Sequence, residues 1–188
     1  MPVTTSALLV MDVQNGIVER FGEHAQDLLS TLARTIGVAR EVGIPVVYVR
    51  VAFRKGAPEV SARNRAFAAA GSDAMNETEV TTEVHSVVTP QDGEVVVTKR
   101  RVSAFSGSDL DAVLRALDVD SLVLTGIATG GVVLSTLRQA ADLDFRLTVL
   151  SDGCVDADPE THRVLMDKVF PRQASVMTAE EWITTARQ

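Results

Sequence analysis

Short apolar runs alternate along the chain with stretches in which apolar residues recur every three or four positions. The runs are rich in Val, Leu and Ile, which is typical of buried strands, and they cover residues 7–11, 44–51, 94–98, 121–125, 147–151 and 175–177. The helical spacing predicts helices over residues 25–42, 109–117, 130–143 and 159–169, and a last helix after residue 178. Strands that alternate with helices predict an α/β fold, in which a parallel sheet carries helices on both faces.

Several predicted helices begin at residues that favour a helix start. Ser108 and Asp111 are spaced as in a capping box, and so are Thr178 and Glu181. Asp158 stands directly before a proline, as an N-cap residue does before the first helical position. These signals indicate where the second, fourth and last of the predicted helices begin.

One long segment, residues 52–93, follows neither pattern and is rich in polar, Gly, Pro and Ala residues. A stretch of this length without clear elements is typical of a binding loop or lid. It is too short for a second domain, so we expect one domain over residues 1–188. Side chains in or beside this segment could contact an anionic substrate, although a solvated surface charge is the favoured explanation for each arginine: Arg50, Phe53, Arg54, Arg63, Asn64 and Arg65.

Composition limits the classes of function. The chain has 188 residues, a hydrophobic fraction of 46% and a net charge of -7, which disfavours nucleic acid or an anionic membrane as partner. A small anionic substrate stays compatible with this charge, because the local charge of a pocket holds it. One cysteine excludes an internal disulfide framework and fits a reducing cytoplasm. No signal peptide and no apolar stretch of the ~20 residues that span a membrane is found, so we expect a cytoplasmic protein.

The most informative stretch is residues 123–138, where a β-branched apolar run passes through Gly126, Gly130 and Gly131 into a helical pattern. This order predicts a strand, a tight turn and a helix start. Glycines there let backbone N–H groups converge at the positive end of the helix, which suits a carboxylate or a developing oxyanion. The alternative is an ordinary buried connection between a strand and a helix.

Two charged residues follow other predicted strands. Asp12 ends the first strand and Lys99 ends the third. Because ligands in such sheets bind beyond the carboxyl ends of the strands, we expect both residues at the same edge as the glycine turn. A carboxylate and an ammonium group in a partly buried cleft can tune each other for proton transfer. The alternative for Asp12 is a turn-forming residue without chemistry.

These motifs together resemble the isochorismatase-like hydrolase superfamily, which includes cysteine hydrolases such as nicotinamidases and N-carbamoylsarcosine amidases. The resemblance rests on residues 8–16, Thr98-Lys99 with 103–105, 125–129, 138–141 and 170–172, and spans nearly the whole chain. It implies a six-stranded parallel sheet in a three-layer, Rossmann-like fold, and places Asp12 and Lys99 at the family's acid–base positions. It also implies a cis peptide at Ile127-Ala128 and a homo-oligomer, dimer or tetramer, to which the helix after Gly131 could contribute a contact.

The sequence departs from the family where the nucleophile is expected. Cysteine hydrolases of this family read Thr-x-x-Cys, whereas this chain reads Thr129-Gly130-Gly131-Val132, so valine stands in place of the thiol. Covalent amide hydrolysis through a thioester is therefore disfavoured. Cys154, Thr129 and Ser135 are alternative nucleophiles, but a buried thiol, a helix cap and an inward hydroxyl explain them more simply.

Isochorismatases proper resemble this chain in lacking that cysteine. By this resemblance Asp12 would be the general acid that protonates an enol ether, after which water adds and pyruvate leaves. Lys99 and Gln14 would position the substrate, and the Gly130 and Gly131 amides would receive negative charge. The substrate-binding set is Gln14, Phe53, Phe105, Ala128, Thr129, Gly130, Gly131 and Val132. Burial would raise the pKa of Asp12 and Lys99 would lower it, and the sequence leaves the balance open.

No metal or cofactor is expected. The three histidines show no paired zinc spacing. Asp156, Asp158 and His162 are an alternative ligand set, but acids at a helix start followed by a surface histidine explain them better. The sequence therefore predicts a hydrolase of a small molecule that uses Asp12 and Lys99 without a covalent cysteine intermediate, with enol-ether hydrolysis favoured over amide hydrolysis by activated water. The alternative is a former enzyme that binds a metabolite or a partner without turnover.

Overall fold

The computed structural model describes residues 5–68 and 75–188. Residues 1–4 and residues 69–74 of the irregular segment lie outside this description. The prediction that the chain lacks a signal peptide depends in part on residues 1–4. The strands are β1 (Ser6–Met11), β2 (Val46–Val51), β3 (Val95–Lys99), β4 (Ser121–Ile127), β5 (Arg146–Val155) and β6 (Ser175–Met177). The helices of the described part are α1 (Asn15–Phe21), α2 (His24–Glu41), α3 (Arg65–Ala68), α4 (Leu110–Ala116), α5 (Leu134–Asp142), α6 (Pro159–Val164) and α7 (Ala179–Ala186).

The six strands form one parallel sheet in the order β3-β2-β1-β4-β5-β6. Helices cover both faces, because successive strand residues point to opposite sides. Leu9 and Met11 of β1 belong to the core shared with α4 and α5, whereas Leu8 and Val10 belong to the core shared with α2 and α7. The predicted three-layer α/β fold is confirmed.

Strands β1 and β4 lie side by side in the middle of the sheet, and the strand order reverses between them: β2 and β3 extend to one side, β5 and β6 to the other. In open α/β sheets this is the point where ligands bind, beyond the carboxyl ends of the strands. The two strands approach closely there: a Cβ on Gly126 would lie 2.0 Å from the carbonyl oxygen of Met11, and Gly126 has φ 135°. Only glycine fits such a position without displacing backbone.

Two elements near the site differ from the sequence prediction. The helix α1 begins at Asn15, where the sequence pattern indicated only a break. The pattern missed this helix because Val18 is the one residue that the helix buries, so no apolar stripe marks it. Strand β5 continues to Val155 instead of ending at residue 151. A register shift opposite Leu124 lets the second half of β5 pair with β4 past Gly153, a residue that normally weakens a strand.

The helix caps agree with the predictions in two of three cases. The hydroxyl of Thr178 and the carboxylate of Glu181 form the full capping box of α7, and Asp158 accepts the Glu160 N–H at the start of α6. The capping box predicted with Ser108 does not form, because the N-cap of α4 is Asp109; Ser108 Oγ accepts the Leu110 N–H at 3.3 Å, and Asp111 accepts from Arg115. The predicted helix over 159–169 is present as α6 followed by a wider helical turn over Leu165–Val169.

The irregular segment is largely without strands in the described residues, as predicted. It contains α3 and two single 3₁₀ turns, Val80–Thr82 and Ser86–Val88. Isolated bridges pair Gln14 with Val84 and Phe53 with Asn76, so the segment lies against the loops that follow β1 and β2. Within the described residues, no helix combines the length and apolar character needed to cross a bilayer.

Candidate active site

Asp12 and Lys99 form a buried ion pair beyond the carboxyl ends of the strands. The Lys99 Nζ lies 2.9 Å from Asp12 Oδ2, and the two side chains are 2% and 7% exposed. Lys99 ends β3 and reaches past β2, since Val51 is its partner in the sheet register. Asp12 leaves β1 with φ 56°, a left-handed conformation that Asp tolerates better than most residues. The two side chains that the sequence predicts at one edge therefore meet there.

The two oxygens of the Asp12 carboxyl differ in their surroundings. Oδ2 faces Lys99, which also donates to the carbonyl of Arg101 at 2.9 Å. Oδ1 is buried and has no hydrogen-bond partner among the described residues. A buried polar atom without a partner costs free energy and is a recurring mark of functional sites. Oδ1 therefore has hydrogen-bonding capacity that the described residues do not use, on a carboxyl that is buried.

Burial decides the direction of the Asp12 pKa. Desolvation raises the pKa of this carboxyl above its ordinary value of 3.8 and outweighs the opposing attraction of Lys99. Of the two opposing influences that the sequence leaves open, burial is therefore the larger, and the pKa of Asp12 shifts upward. A carboxyl whose pKa is raised by burial has the property that a general acid needs near neutral pH.

Gln14 is engaged with the backbone on every side. Its Nε2 donates to the carbonyls of Val51 and Thr82 at 3.0 and 2.9 Å, and its Oε1 accepts the Val51 N–H at 2.8 Å. Both N–H groups of the amide are thus committed. The side chain ties the loop after β1 to the end of β2 and to the irregular segment. This geometry favours an indirect contribution, through the loop that carries Asp12, over direct contact with substrate.

The turn after β4 has the shape that the sequence predicts but different hydrogen bonds. The Ile127–Ala128 peptide is cis, as the resemblance implies. The Gly130 N–H donates to Asp156 Oδ2 at 2.6 Å, and the Gly131 N–H donates to the carbonyl of Ala128 at 3.0 Å. Both amides are therefore already engaged, and the expectation that they receive negative charge from a substrate is not met in this arrangement.

Thr129 and His162 form a contact at the same turn. The Thr129 side chain is fully buried, and its Oγ1 lies 2.8 Å from Nδ1 of His162. Burial lowers the pKa of His162, while the nearby Asp156 and Asp167 act in the opposite direction. The Nδ1 atom of a neutral His162 can accept a hydrogen bond from the Thr129 hydroxyl. A contact of this kind activates a hydroxyl in some enzymes, but Thr129 is 0% exposed, and this burial disfavours it as a nucleophile.

Val132 and Phe105 lie in the apolar core between the sheet and α4 and α5. Val132 is 2% exposed, so an isopropyl group fills the position that the resemblance gives to the nucleophile. Phe105 packs beside Phe145, with ring centroids 6.0 Å apart. Both side chains are buried in this core and offer no group for covalent chemistry.

Phe53, Arg50 and Arg54 make contacts away from the Asp12–Lys99 pair. Phe53 is 1% exposed and packs edge-to-face on Phe67. Arg50 donates to Thr98, and Arg54 pairs with Glu59 at 2.6 Å. A cleft of about 740 Å³ at the β3 edge has Arg54 in its lining but neither Asp12 nor Lys99. Arg54 and Arg100 in this cleft pair with Glu59, and Arg101 donates to backbone carbonyls, so we give the buried Asp12–Lys99 pair more weight.

The remaining alternatives for chemistry are weakened by the geometry. Cys154 lies within β5, and burial raises the pKa of its thiol to about 12, which suppresses the thiolate. Ser135 lies on α5, beyond the turn. The carboxylates of Asp156 and Asp158 accept N–H groups at the turn and at the start of α6. In the part of the chain that the structure describes, no cluster of ligating side chains could hold a metal ion.

The contacts of the turn with Asp156 and His162 were not predictable from spacing. These residues lie 26 and 33 positions from their partners, on segments that the sequence interprets as helix-capping residues and surface. The only signal that could have found them is the strand order, which brings the end of β5 beside the end of β4.

The fold and this site define the class of the protein. The isochorismatase domain family matches residues 6–181, so the chain belongs to the isochorismatase family, whose members are hydrolases. A cysteine hydrolase from Pseudomonas syringae pv. phaseolicola has the same fold, with a TM-score of 0.90, 22% identity and coverage of 100% of this chain and 95% of that one. An isochorismatase family protein from Burkholderia thailandensis gives a TM-score of 0.86 at 27% identity, covering 98% and 96% of the two chains.

Curated relatives are similar over most of their length. The isochorismatase family protein YwoC of Bacillus subtilis is 32% identical over 178 residues, which are 95% of this chain and 92% of that protein. The ureidoacrylate amidohydrolase RutB of Variovorax paradoxus is 35% identical over 170 residues, which are 79% of this chain and 68% of that protein.

Proposed function

We propose that this protein hydrolyses a small metabolite through Asp12 and Lys99, without a covalent cysteine intermediate, and that its substrate is an enol ether of the isochorismate type. The observation that carries the proposal is the Asp12 carboxyl: it is buried, one oxygen lies 2.9 Å from Lys99 Nζ, and the other has no partner among the described residues. Such a group can hold a proton and deliver it to a substrate in a site that excludes bulk water.

The reaction needs one proton and one water. Protonated Asp12 gives its proton to the terminal carbon of the enol ether, and the positive charge develops on the carbon that bears the ether oxygen. Water adds to that carbon and loses a proton, and the resulting hemiketal breaks into pyruvate and an alcohol. After the transfer Asp12 is a carboxylate, and the ammonium of Lys99 at 2.9 Å stabilises it. The proton that water loses restores the acid.

A second reaction deserves a direct comparison, because relatives at 35% identity bear the name ureidoacrylate amidohydrolase. In that case the Asp12 carboxylate would take a proton from water, and the water would attack an amide carbon. This route needs Asp12 ionised at the start, whereas burial favours its protonated form. The raised pKa of Asp12 is what favours the enol ether over the amide, since the ion pair with Lys99 fits either reaction.

The test is the release of pyruvate from isochorismate by the purified protein, measured beside Asp12→Asn. Asp111→Asn is the matched control, because it removes a carboxylate on the exposed face of α4 that pairs with Arg115. We expect pyruvate release by the wild type and by the control, and loss of at least about 100-fold in Asp12→Asn, within the contribution usual for a general acid.

Other outcomes separate the alternatives. Ammonia released from a panel of ureido acids and primary amides, without pyruvate from isochorismate, would transfer the assignment to amide hydrolysis. If neither product forms, both hydrolytic assignments are rejected. A rise in melting temperature with the same compounds would then indicate a protein that binds its ligand without turnover.

A further inference from the structure

The turn between β4 and α5 is not held by regular helical hydrogen bonds. Gly131 has φ -101° and ψ -105°, outside the helical region, within the wide helical turn Thr129–Val133. The carbonyl of Ala128 accepts both the Gly131 N–H, at 3.0 Å, and the Val133 N–H, at 3.3 Å. Thr129 and Gly130 lie between these anchor points. The Thr129 carbonyl accepts the Leu134 N–H within the turn, whereas the Thr129 hydroxyl and the Gly130 N–H have their partners outside it.

Two side chains, one directly after β5 and one on α6, hold Thr129 and Gly130 from outside the turn. Asp156 Oδ2 accepts the Gly130 N–H at 2.6 Å, and His162 Nδ1 lies 2.8 Å from Thr129 Oγ1. Asp156 and Thr161 lie close to the backbone of Gly130, since a Cβ on Gly130 would be 3.1 Å from both Asp156 Oδ2 and the Thr161 methyl group. Adjacent residues of the turn are thus held by two side chains that come from outside it.

The two anchoring side chains are themselves connected. Asp156 Oδ1 accepts the N–H of Asp158 at 3.2 Å. Asp158 in turn accepts the Glu160 N–H at 3.0 Å and the Thr161 hydroxyl at 2.7 Å, which caps the helix that carries His162. The start of α6 is therefore tied to Asp156, and the spacing of the two anchors is defined by this network.

We propose that His162 and Asp156 are positioning residues, which brace the Thr129–Gly130 turn and thereby set the geometry of the hydrolytic site. The proposal rests on the proposed function, because the turn follows β4 beside the loop that carries Asp12, at the reversal of strand order. Neither brace residue contacts the Asp12–Lys99 pair in the structure. Their effect is transmitted through the turn.

The test measures backbone amide hydrogen exchange of residues 129–133 by NMR, which requires no substrate. In His162→Ala we expect exchange at Gly131 and Val133 to rise about 10-fold, the upper range for the loss of one hydrogen bond. His162→Asn keeps a polar group near the Nδ1 position, so we expect exchange within about 3-fold of the wild type. Thr129→Val removes the partner hydroxyl at nearly constant volume and should reproduce His162→Ala.

His24→Ala is the matched control. His24 lies in the same cleft of about 160 Å³ as His162 and Asp156, and no hydrogen bond of its ring is found among the described residues. Exchange in the turn should be unchanged in this variant. The brace is overturned if His162→Ala and Thr129→Val leave exchange unchanged, or if His24→Ala raises it as much. Should His162→Ala fail to fold, Thr129→Val and His162→Asn still decide the question.

A kinetic measurement separates the brace from the proposed function. With isochorismate as substrate, we expect His162→Ala to lower kcat/KM about 10-fold and His162→Asn to restore it to within about 3-fold. If the wild type releases no pyruvate, the proposed function fails while the exchange data still decide the brace. If the wild type is active and His162→Ala has wild-type kcat/KM despite faster exchange, the positioning role is refuted.

Discussion

Replacing Lys99 by Met tests whether the Asp12–Lys99 pair is as desolvated as the structure indicates. The Lys99 side chain is 2% exposed and that of Asp12 7%, and their charged atoms are 2.9 Å apart. At an effective dielectric constant of about 20, the attraction across this distance is roughly 6 kcal/mol before desolvation is subtracted. Removing one partner of a buried pair usually costs about 3–5 kcal/mol. We expect Lys99→Met to lose about that much stability at pH 8.

The loss should be smaller in acid, for a reason that the Asp12 pKa supplies. Burial already raises this pKa above 3.8, and removal of Lys99 would raise it further. A folded state with a raised carboxyl pKa binds more protons than the unfolded state, so its stability falls as pH rises from the unfolded to the folded pKa. Each additional unit of pKa makes the variant about 1.4 kcal/mol worse at pH 8 than in acid.

The assay is urea unfolding, followed by circular dichroism at pH 5 and pH 8, for the wild type, Lys99→Met, Asp12→Asn and the double variant. The double variant removes both charges and should recover part of the stability that Lys99→Met loses at pH 8. A loss below about 1 kcal/mol, or an equal loss at both pH values, would contradict the reasoning. Either result would mean that Asp12 is hydrated once Lys99 is gone.

Three further predictions concern the scaffold of the site. Gly126→Ala should cost at least about 3 kcal/mol in urea unfolding, because its Cβ would lie 2.0 Å from the Met11 carbonyl oxygen; Gly37→Ala in α2, with no atom near its Cβ, should instead be neutral or stabilise by up to about 1 kcal/mol. Native Cys154 should resist iodoacetamide at pH 8 and react after unfolding, because burial raises its pKa to about 12, and rapid native labelling would refute this. Thr178→Ala should lower stability by about 1 kcal/mol in the same unfolding assay, through the loss of its capping box, and an unchanged midpoint would count against that cap.

The sequence carries enough information for the layers of the fold and for the principal pair of the site. Apolar runs mark each strand of the sheet, and Asp12 and Lys99 end two of them, so the parallel arrangement alone brings the two side chains to one edge. The helix α1 escapes the pattern because it buries only Val18. The end of β5 was not predicted because Gly153 interrupts the apolar run, whereas in the structure a register shift lets the strand go on pairing with β4.

Hydrogen-bond assignment at the turn lies beyond what a sequence pattern can provide. The glycines predict converging amides, but the partners of Gly130 and Thr129 come from residues 26 and 33 positions away. Those partners depend on the strand order, which places β5 beside β4, and on the cap that fixes the start of α6. Long-range contacts of this kind follow from topology, which local periodicity does not encode.

The protonation state of Asp12 is the point on which the proposed reaction depends, and the titration of its carboxyl carbon by NMR measures it directly. Selective ¹³C labelling of aspartate, with Asp12→Asn to assign the signal, gives the midpoint. We expect this midpoint above the ordinary value of 3.8, because burial outweighs the attraction of Lys99. A midpoint at or below 3.8 would show that the ion pair dominates, and any midpoint that leaves Asp12 ionised at the pH of the pyruvate assay would contradict Asp12 as the general acid.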